Sequence, residues 1–565
     1  MQTYAGCSST CSVLALLPLW QAQTNPAKIA AVIRRLGQQH FNNGVSLIRY
    51  HEILLFLRAY PQSTAIVRAT EAQLRTFPER VARLSDHGRD LSALGDPEVS
   101  GVAGMAVTDT FSFDIVCWLV KRYPTRSVFY WDWFEDENRL AETWPRFMPL
   151  LEEDALVEAN VPYVEWLRAA KDGRRELPWV VDRFAQLPLS AKEKAELYNS
   201  QKLYVRWSPP YRATRTGLRL PVRKIFYHQA RLIQRRDMSF REELENAPST
   251  LRKLGANRGN AALDMAREAS TIRYRELYGF THGDPKLVFK STLGRGVDLL
   301  LVGLPPERRL PLRAYHAAMI YKNGVPVGYF EGLSLFERME SGFNFYYTFR
   351  EGETAWIYAR TLNVFRHLLG VTTFTLDPYQ IGYENEEGIE SGAFWFYRKL
   401  GFRPAKAALL KLTELEEQKI SGRKTYRTPA TTLRKLAAGP MIFELNQKQG
   451  GDWDQFHIRK VGLAVQRWMA TKFRGDAQKL RRGAAKTITR ALGMKTTAWN
   501  KTQFNRFSDI SVVLSLIPDL NEWSLVEKKD LVRVIQAKAS RDESKYLKLM
   551  QQHERLRAEI IRLGS

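Results

Sequence analysis

Asn323-Gly324 is the dipeptide that most restricts how this chain can fold. Both residues tolerate positive φ, as the tightest two-residue hairpin requires, and the pair lies between apolar-rich runs. Residues 314–321 read as one strand and 325–336 as the returning one. The alternation then continues. Residues 343–349 are an aromatic strand candidate, and 350–354 form a polar turn. Residues 356–369 have helical periodicity, with Ile357, Leu362, Phe365 and Leu369 near one face and Gly370 as a stop. Residues 371–376 are β-branched and strand-like. This order predicts a mixed α/β domain with a central sheet.

Residues 391–404 read SGAFWFYRKLGFRP. A helix over 389–400 would end at Gly401, with Arg398 and Lys399 in a cationic last turn and Pro404 just beyond. The order Phe396-Tyr397-x-Lys399-Leu400-Gly401-Phe402 is more particular than capping needs. It resembles the last core helix and following strand of the GNAT superfamily of acyl-CoA-dependent N-acyltransferases. The strand and helix order upstream is similar to a GNAT core as well. The resemblance covers about residues 261–411 and does not extend to the remainder. It implies a central GNAT-like sheet domain; with the helical apolar spacing of the N- and C-terminal regions on either side, the expected fold class is α+β (mixed α/β). It also implies transfer of an acyl group from a thioester, acyl-CoA with acetyl-CoA foremost, to an amine.

The same resemblance assigns roles. Tyr397 matches the family's general acid at the departing thiolate; a tyrosine flanked by Phe394, Trp395 and Phe396 also suits a core. The family holds the coenzyme pyrophosphate on a Gln/Arg-x-x-Gly-x-Gly/Ala loop at a helix start. Here the loop is Arg350-Glu351-Gly352-Glu353-Thr354-Ala355. Arg350 and Ala355 match its ends, Glu353 replaces the central Gly, and Gly352 sits one place early. Glu351 and Glu353 put negative charge where a diphosphate would dock, although the amides of Gly352 and Thr354 remain to hold one. Glu331 and Glu340, on or beside the two strands that line the cleft of this fold, are the candidates for general base. Asp377, Glu384, Asn385, Glu386, Glu387 and Glu390 form an acidic segment that either orients a cationic amine or opens the next helix at its positive end.

The rest of the chain is bounded by size and charge. Its 565 residues suffice for about three or four domains. At 44% hydrophobic and 26% charged the composition is that of globular proteins. Net charge +25 attracts polyanions, unless it is only a solvated surface. Cys7, Cys11 and Cys117 are too few for a disulfide framework, and no metal site is expected. The apolar run 13–20 is short, broken by Pro18 and preceded by no Lys or Arg, a poor signal peptide. No uncharged run reaches membrane-spanning length, so a cytoplasmic protein is the default expectation.

Residues 1–90 read as a helical region, with apolar spacing over 27–39, 45–59 and 63–84 and Pro26, Pro61 and Pro78 as punctuation. Residues 91–255 are mainly helical, with a basic, proline-rich segment at 201–236. The α/β domain occupies 256–413, a linker 414–450, and a basic helical region 451–565. In the segment 201–236, Arg212, Arg215, Arg223 and Lys224 lie among aromatics. That pattern suits phosphate contact and base stacking, or a wrap whose arginine stems cover apolar surface. Arg474, Arg481 and Arg482 stand in a helical stretch nearly free of acids. The alternative to an acyl-CoA-dependent enzyme is therefore a non-catalytic or tRNA-dependent GNAT-like protein, its basic flanks engaging RNA, DNA or a ribonucleoprotein. HExxH, GxxxxGK[ST] and GxSxG are all absent, so protease, P-loop and α/β-hydrolase readings have no support.

Overall fold

The computed structural model describes residues 25–149, 162–423, 425–446 and 450–565. Cys7, Cys11 and the run 13–20 lie outside the described residues. Two compact units divide the chain. One holds the described residues up to Arg231 with Asp264–Thr281 and Asn323–Pro326; the other holds Leu232–Leu263, His282–Lys322 and Val327–Ser565.

The first unit opens with helices Pro26–Gly37, Gly44–Ala59, Thr64–Leu74 and Phe77–Asp86. Asn25, Asn43 and Ser63 start the first three, each side chain accepting a first-turn N–H that would otherwise lack a partner. A small antiparallel sheet follows, from β1 (Val107–Asp109), β2 (Ser127–Phe129) and β3 (Val205–Trp207), in the order β1-β3-β2. Its strands have three residues each, too short for a period-two pattern to register in a stretch that reads as helical. Trp144, Phe184, Tyr198 and Trp207 anchor the core.

Part of the basic segment 201–236 turns inward. Arg215 is buried, ion-paired with Glu52, and donates to the carbonyl of Val99 at 2.9 Å. Its expected place among phosphate contacts is thus corrected: a guanidinium held inside by a carboxylate cannot meet a polyanion. Arg219 joins Arg58 on Glu71, each at 2.8 Å. Arg212, Arg223 and Lys224 are exposed.

The second unit is built on nine strands. They are β4 (Leu251–Lys253), β5 (Val288–Gly294), β6 (Val297–Gly303), β7 (Ala314–Lys322), β8 (Val325–Leu335), β9 (Arg338–Phe345), β10 (Thr373–Leu376), β11 (Arg403–Pro404) and β12 (Met441–Glu444). Their order is β11-β12-β10-β9-β8-β7-β6-β5-β4. β7 turns into β8 at Asn323-Gly324, with φ of 48° and 82°, the geometry that this dipeptide permits. β9 and β10 run parallel. Helix Thr354–Leu369 joins them, as a parallel pair requires, and ends at Gly370 in the left-handed conformation.

Three segments differ from expectation. The aromatic strand begins earlier, at Arg338, and 347–349 is a 3-10 turn instead. The helix expected over 389–400 is two short ones, Glu386–Glu390 and Ala393–Arg398, because Gly392 adopts φ 68° between them. Residues 414–450 are not simply a linker. They complete helix Ala407–Gly422, add helix Ala430–Leu436, and place β12 between β10 and β11. Chain order cannot reveal that insertion, because β12 pairs with strands that precede it.

Helices Ile458–Phe473, Ala477–Leu492, Lys501–Leu514, Leu525–Lys538, Glu543–Gln551 and Glu554–Gly564 complete the unit. Arg309, fully buried, donates to the carbonyls of Lys538 at 2.8 Å and Arg541 at 2.9 Å, tying these helices to the sheet. Buried Lys538 donates to Glu543 at 2.6 Å. Among the described residues no helix is long and apolar enough to cross a membrane.

Candidate active site

β9 and β10 pair only briefly. Arg338, Met339 and Glu340 lie opposite Thr373, Phe374 and Thr375; β9 then continues to Phe345 on β8 alone, while β10 stops at Leu376. Parallel strands that part leave backbone groups on the inner edge of β9 without a ladder partner. Gln380 fills part of that space. Asp377 accepts from the N–H of Tyr379 at 2.9 Å and opens a 3-10 turn that carries Gln380 beside β9. The Gln380 amide donates to the Phe343 carbonyl at 2.8 Å and to the Tyr397 hydroxyl at 3.2 Å.

Tyr397 is 2% exposed, its ring edge-on to Tyr358 and Phe402. Burial pushes its hydroxyl pKa well up, offset in part by the Gln380 bond, so it stays protonated at physiological pH. Because Gln380 donates to the oxygen, the hydroxyl proton remains available, and no described residue accepts it.

Along β8 and β9 the less buried positions alternate: Tyr329, Glu331 and Leu333 on one, Glu340, Gly342 and Asn344 on the other. The register sets Glu331 opposite Gly342 and Leu333 opposite Glu340, so both carboxylates share one face. They differ in environment. Glu340 accepts from Arg313 at 3.2 Å and Arg338 at 3.4 Å. Glu331 accepts from the Tyr315 hydroxyl and has no cationic partner among the described residues. Burial raises its carboxyl pKa, offset in part by Tyr315. A side chain at Gly342 would touch both sides of the site: its Cβ would lie 3.9 Å from the Glu331 Cβ and 4.0 Å from the Gln380 Oε1. Asn344 adds a buried Oδ1 that accepts no hydrogen bond from the described residues, an acceptor left for a ligand N–H.

The loop 350–355 has its charges arranged differently from expectation. Glu353 is fully buried and turns away from the helix start. It accepts from Arg295 Nε and Lys322 Nζ, both at 2.8 Å, and from the Ile233 N–H at 3.2 Å. Burial lowers the Lys322 pKa to about 8, with Glu353 opposing the shift. Of the two acids in this loop, only Glu351 is exposed. Gly352 is buried, Thr354 donates to the Arg350 carbonyl at 3.0 Å, and no side chain caps the first turn that Thr354 and Ala355 begin. Arg350 donates to the Phe345 carbonyl at 3.2 Å and is ion-paired with Glu387, bringing the loop and the acidic segment together.

Within that segment several acids have partners. Asn385 caps helix Glu386–Glu390 through the Gly388 N–H at 3.2 Å, and Arg434 holds Glu386 at 2.8 Å. Exposed Glu384 and Glu390 have no ion pair among the described residues. Tyr347, Tyr379 and Tyr383 stand 59%, 61% and 45% exposed in the same segments. Gln380, Tyr315 and Lys322 escape sequence reasoning because none stands in a motif. The only signal for Gln380 is the Asp377-Pro378 turn that follows a strand. Among the described residues no group of His, Cys, Asp or Glu is arranged to hold a metal ion. Compared with known proteins, the chain matches no family model, no curated protein and no solved structure.

Proposed function

We propose that this protein transfers an acyl group from a thioester, acyl-CoA, to an amine where β9 and β10 part. The observation that carries the reading is the pairing of a buried, protonated Tyr397 with an uncompensated Glu331 on either side of Gly342 and Gln380. The chemistry needs one group to take a proton and another to supply one. Glu331 accepts the proton that the attacking amine loses. The nitrogen forms a bond to the acyl carbon, the C–S bond breaks, and Tyr397 protonates the thiolate as it leaves. Glu331 serves as base better than Glu340, whose carboxylate is already engaged by Arg313 and Arg338. The inward turn of Glu353 removes one negative charge from the helix start, which favours the donor's phosphates at Thr354 and Ala355. The resemblance of residues 396–402 to the acyltransferase motif points to the same reaction.

The test is amine-dependent release of free thiol when the full chain meets acetyl-CoA and a panel of amines, with the acylated product weighed by mass spectrometry. The expected result is a product gained in mass by one acetyl group and lost in Tyr397→Phe. No thiol release with any amine across short- and long-chain acyl-CoA would overturn the reading.

A further inference from the structure

The C-terminal helices flank an open cavity of about 640 Å³, within the range of about 300–1,000 Å³ usual for ligand pockets. Arg481, Arg482, Lys486 and Arg490 line it from helix Ala477–Leu492, with Phe504 from helix Lys501–Leu514. Among the described residues no carboxylate lines it. Arg482, Lys486 and Arg490 recur every fourth residue and so form one row on the helix surface. None of these three has an ion-pair partner among the described residues, whereas Arg481 is held by Asp509. Like charges at this spacing oppose helix formation. The helix is kept by its other face, where Leu480, Ala484, Ile488 and Leu492 are buried, and by Asp476, which caps its first turn. Phe504 is 44% exposed, an unusual position for a ring that a core would take.

A row of uncompensated cations beside an exposed aromatic face offers phosphate neutralisation and base stacking together. We infer that this cavity seats a nucleotide of a single-stranded nucleic acid, phosphates on Arg482, Lys486 and Arg490 and a base against Phe504. A strand fits better than a free nucleotide. The row from residue 482 to 490 extends about 12 Å at 1.5 Å per residue, longer than one phosphate needs.

The experiment is fluorescence anisotropy of a labelled single-stranded 20-mer of uridine with the full chain, repeated at several salt concentrations. Arg482→Gln with Lys486→Gln is expected to weaken binding at least tenfold and to flatten the log–log salt slope by about 1.4, two phosphates at about 0.7 each. Phe504→Ala is expected to cost roughly tenfold with the slope unchanged, because stacking releases no counterion. A control pair outside the cavity, Arg459→Gln with Arg467→Gln, should cost less than either. Circular dichroism should show all three variants folded, since the changed residues are exposed. Competition by ATP at concentrations near the strand's own Kd would show a free-nucleotide site and overturn the strand. Heparin binding as tightly as RNA, with Phe504→Ala silent, would mean only a diffuse cationic surface, as would equal losses in the control pair.

Discussion

In the proposed reaction, the same kind of burial suits Tyr397 and Glu331 to opposite roles. Taking a phenol out of water keeps it protonated and fit to donate; taking a carboxyl out of water makes its anion more basic. Tyr397→Phe keeps the ring in its aromatic setting and removes only the hydroxyl. We expect turnover to fall by about 10²–10⁴ while the melting temperature stays close to that of the parent. Turnover unchanged in a folded variant would return Tyr397 to the role of a core ring. The raised Glu331 pKa fixes the sign of the pH dependence. The base must be ionised to act, so kcat/KM should rise with pH along a limb whose midpoint lies above the usual carboxylate range. Glu331→Gln should abolish that limb, and a rate profile with the limb intact in the Gln variant would exclude Glu331 as the base.

At the scale of the element, the site depends on where β9 leaves β10. The break is local: β10 has only four residues, and Asp377-Pro378 turns the chain before it can follow β9 further. Gly342 lies on the stretch of β9 that β8 alone pairs, opposite Glu331. Its φ is ordinary and an added Cβ meets nothing closer than 3.7 Å, so larger residues fit the backbone. Gly342→Leu should therefore fold, yet place its branched end between Glu331 and Gln380. A loss of more than tenfold in kcat/KM with native circular dichroism is the expected outcome; full activity would mean that substrate does not occupy this face.

For the whole molecule, the sheet and the C-terminal helices are joined by buried polar contacts as well as by apolar ones. Arg309 meets three carbonyls of the 538–541 turn, and Lys538 and Glu543 pair beside it. Removing the guanidinium leaves carbonyls that were hydrogen-bonded without donors, each costing about 1–3 kcal/mol. Arg309→Met should therefore weaken hydrogen-exchange protection in helices Leu525–Lys538 and Glu543–Gln551 before the strands lose theirs. Protection lost uniformly across the unit would show that these helices and the sheet unfold as one.

Local rules alone were enough for the elements with short-range causes. Asn323-Gly324 specified a hairpin because only φ-permissive residues close so tight a turn, and helix Thr354–Leu369 announced itself by periodicity and Gly370. The mixed sheet between helical regions was legible from that alternation. What the sequence could not disclose depends on residues far apart in the chain. Glu353 reads as a charge at a helix start, and only the fold supplies the Arg295 and Lys322 that draw it inside. Arg215 reads as one of many exposed arginines until Glu52 is placed beside it. Gln380 acquires a role only because two strands part next to it, and β12 joins the sheet from a segment that reads as linker. Propensity and turn chemistry act over a few residues and are written locally. Burial, charge pairing and strand order are set by which distant segments share one interior, and that is decided when the chain folds.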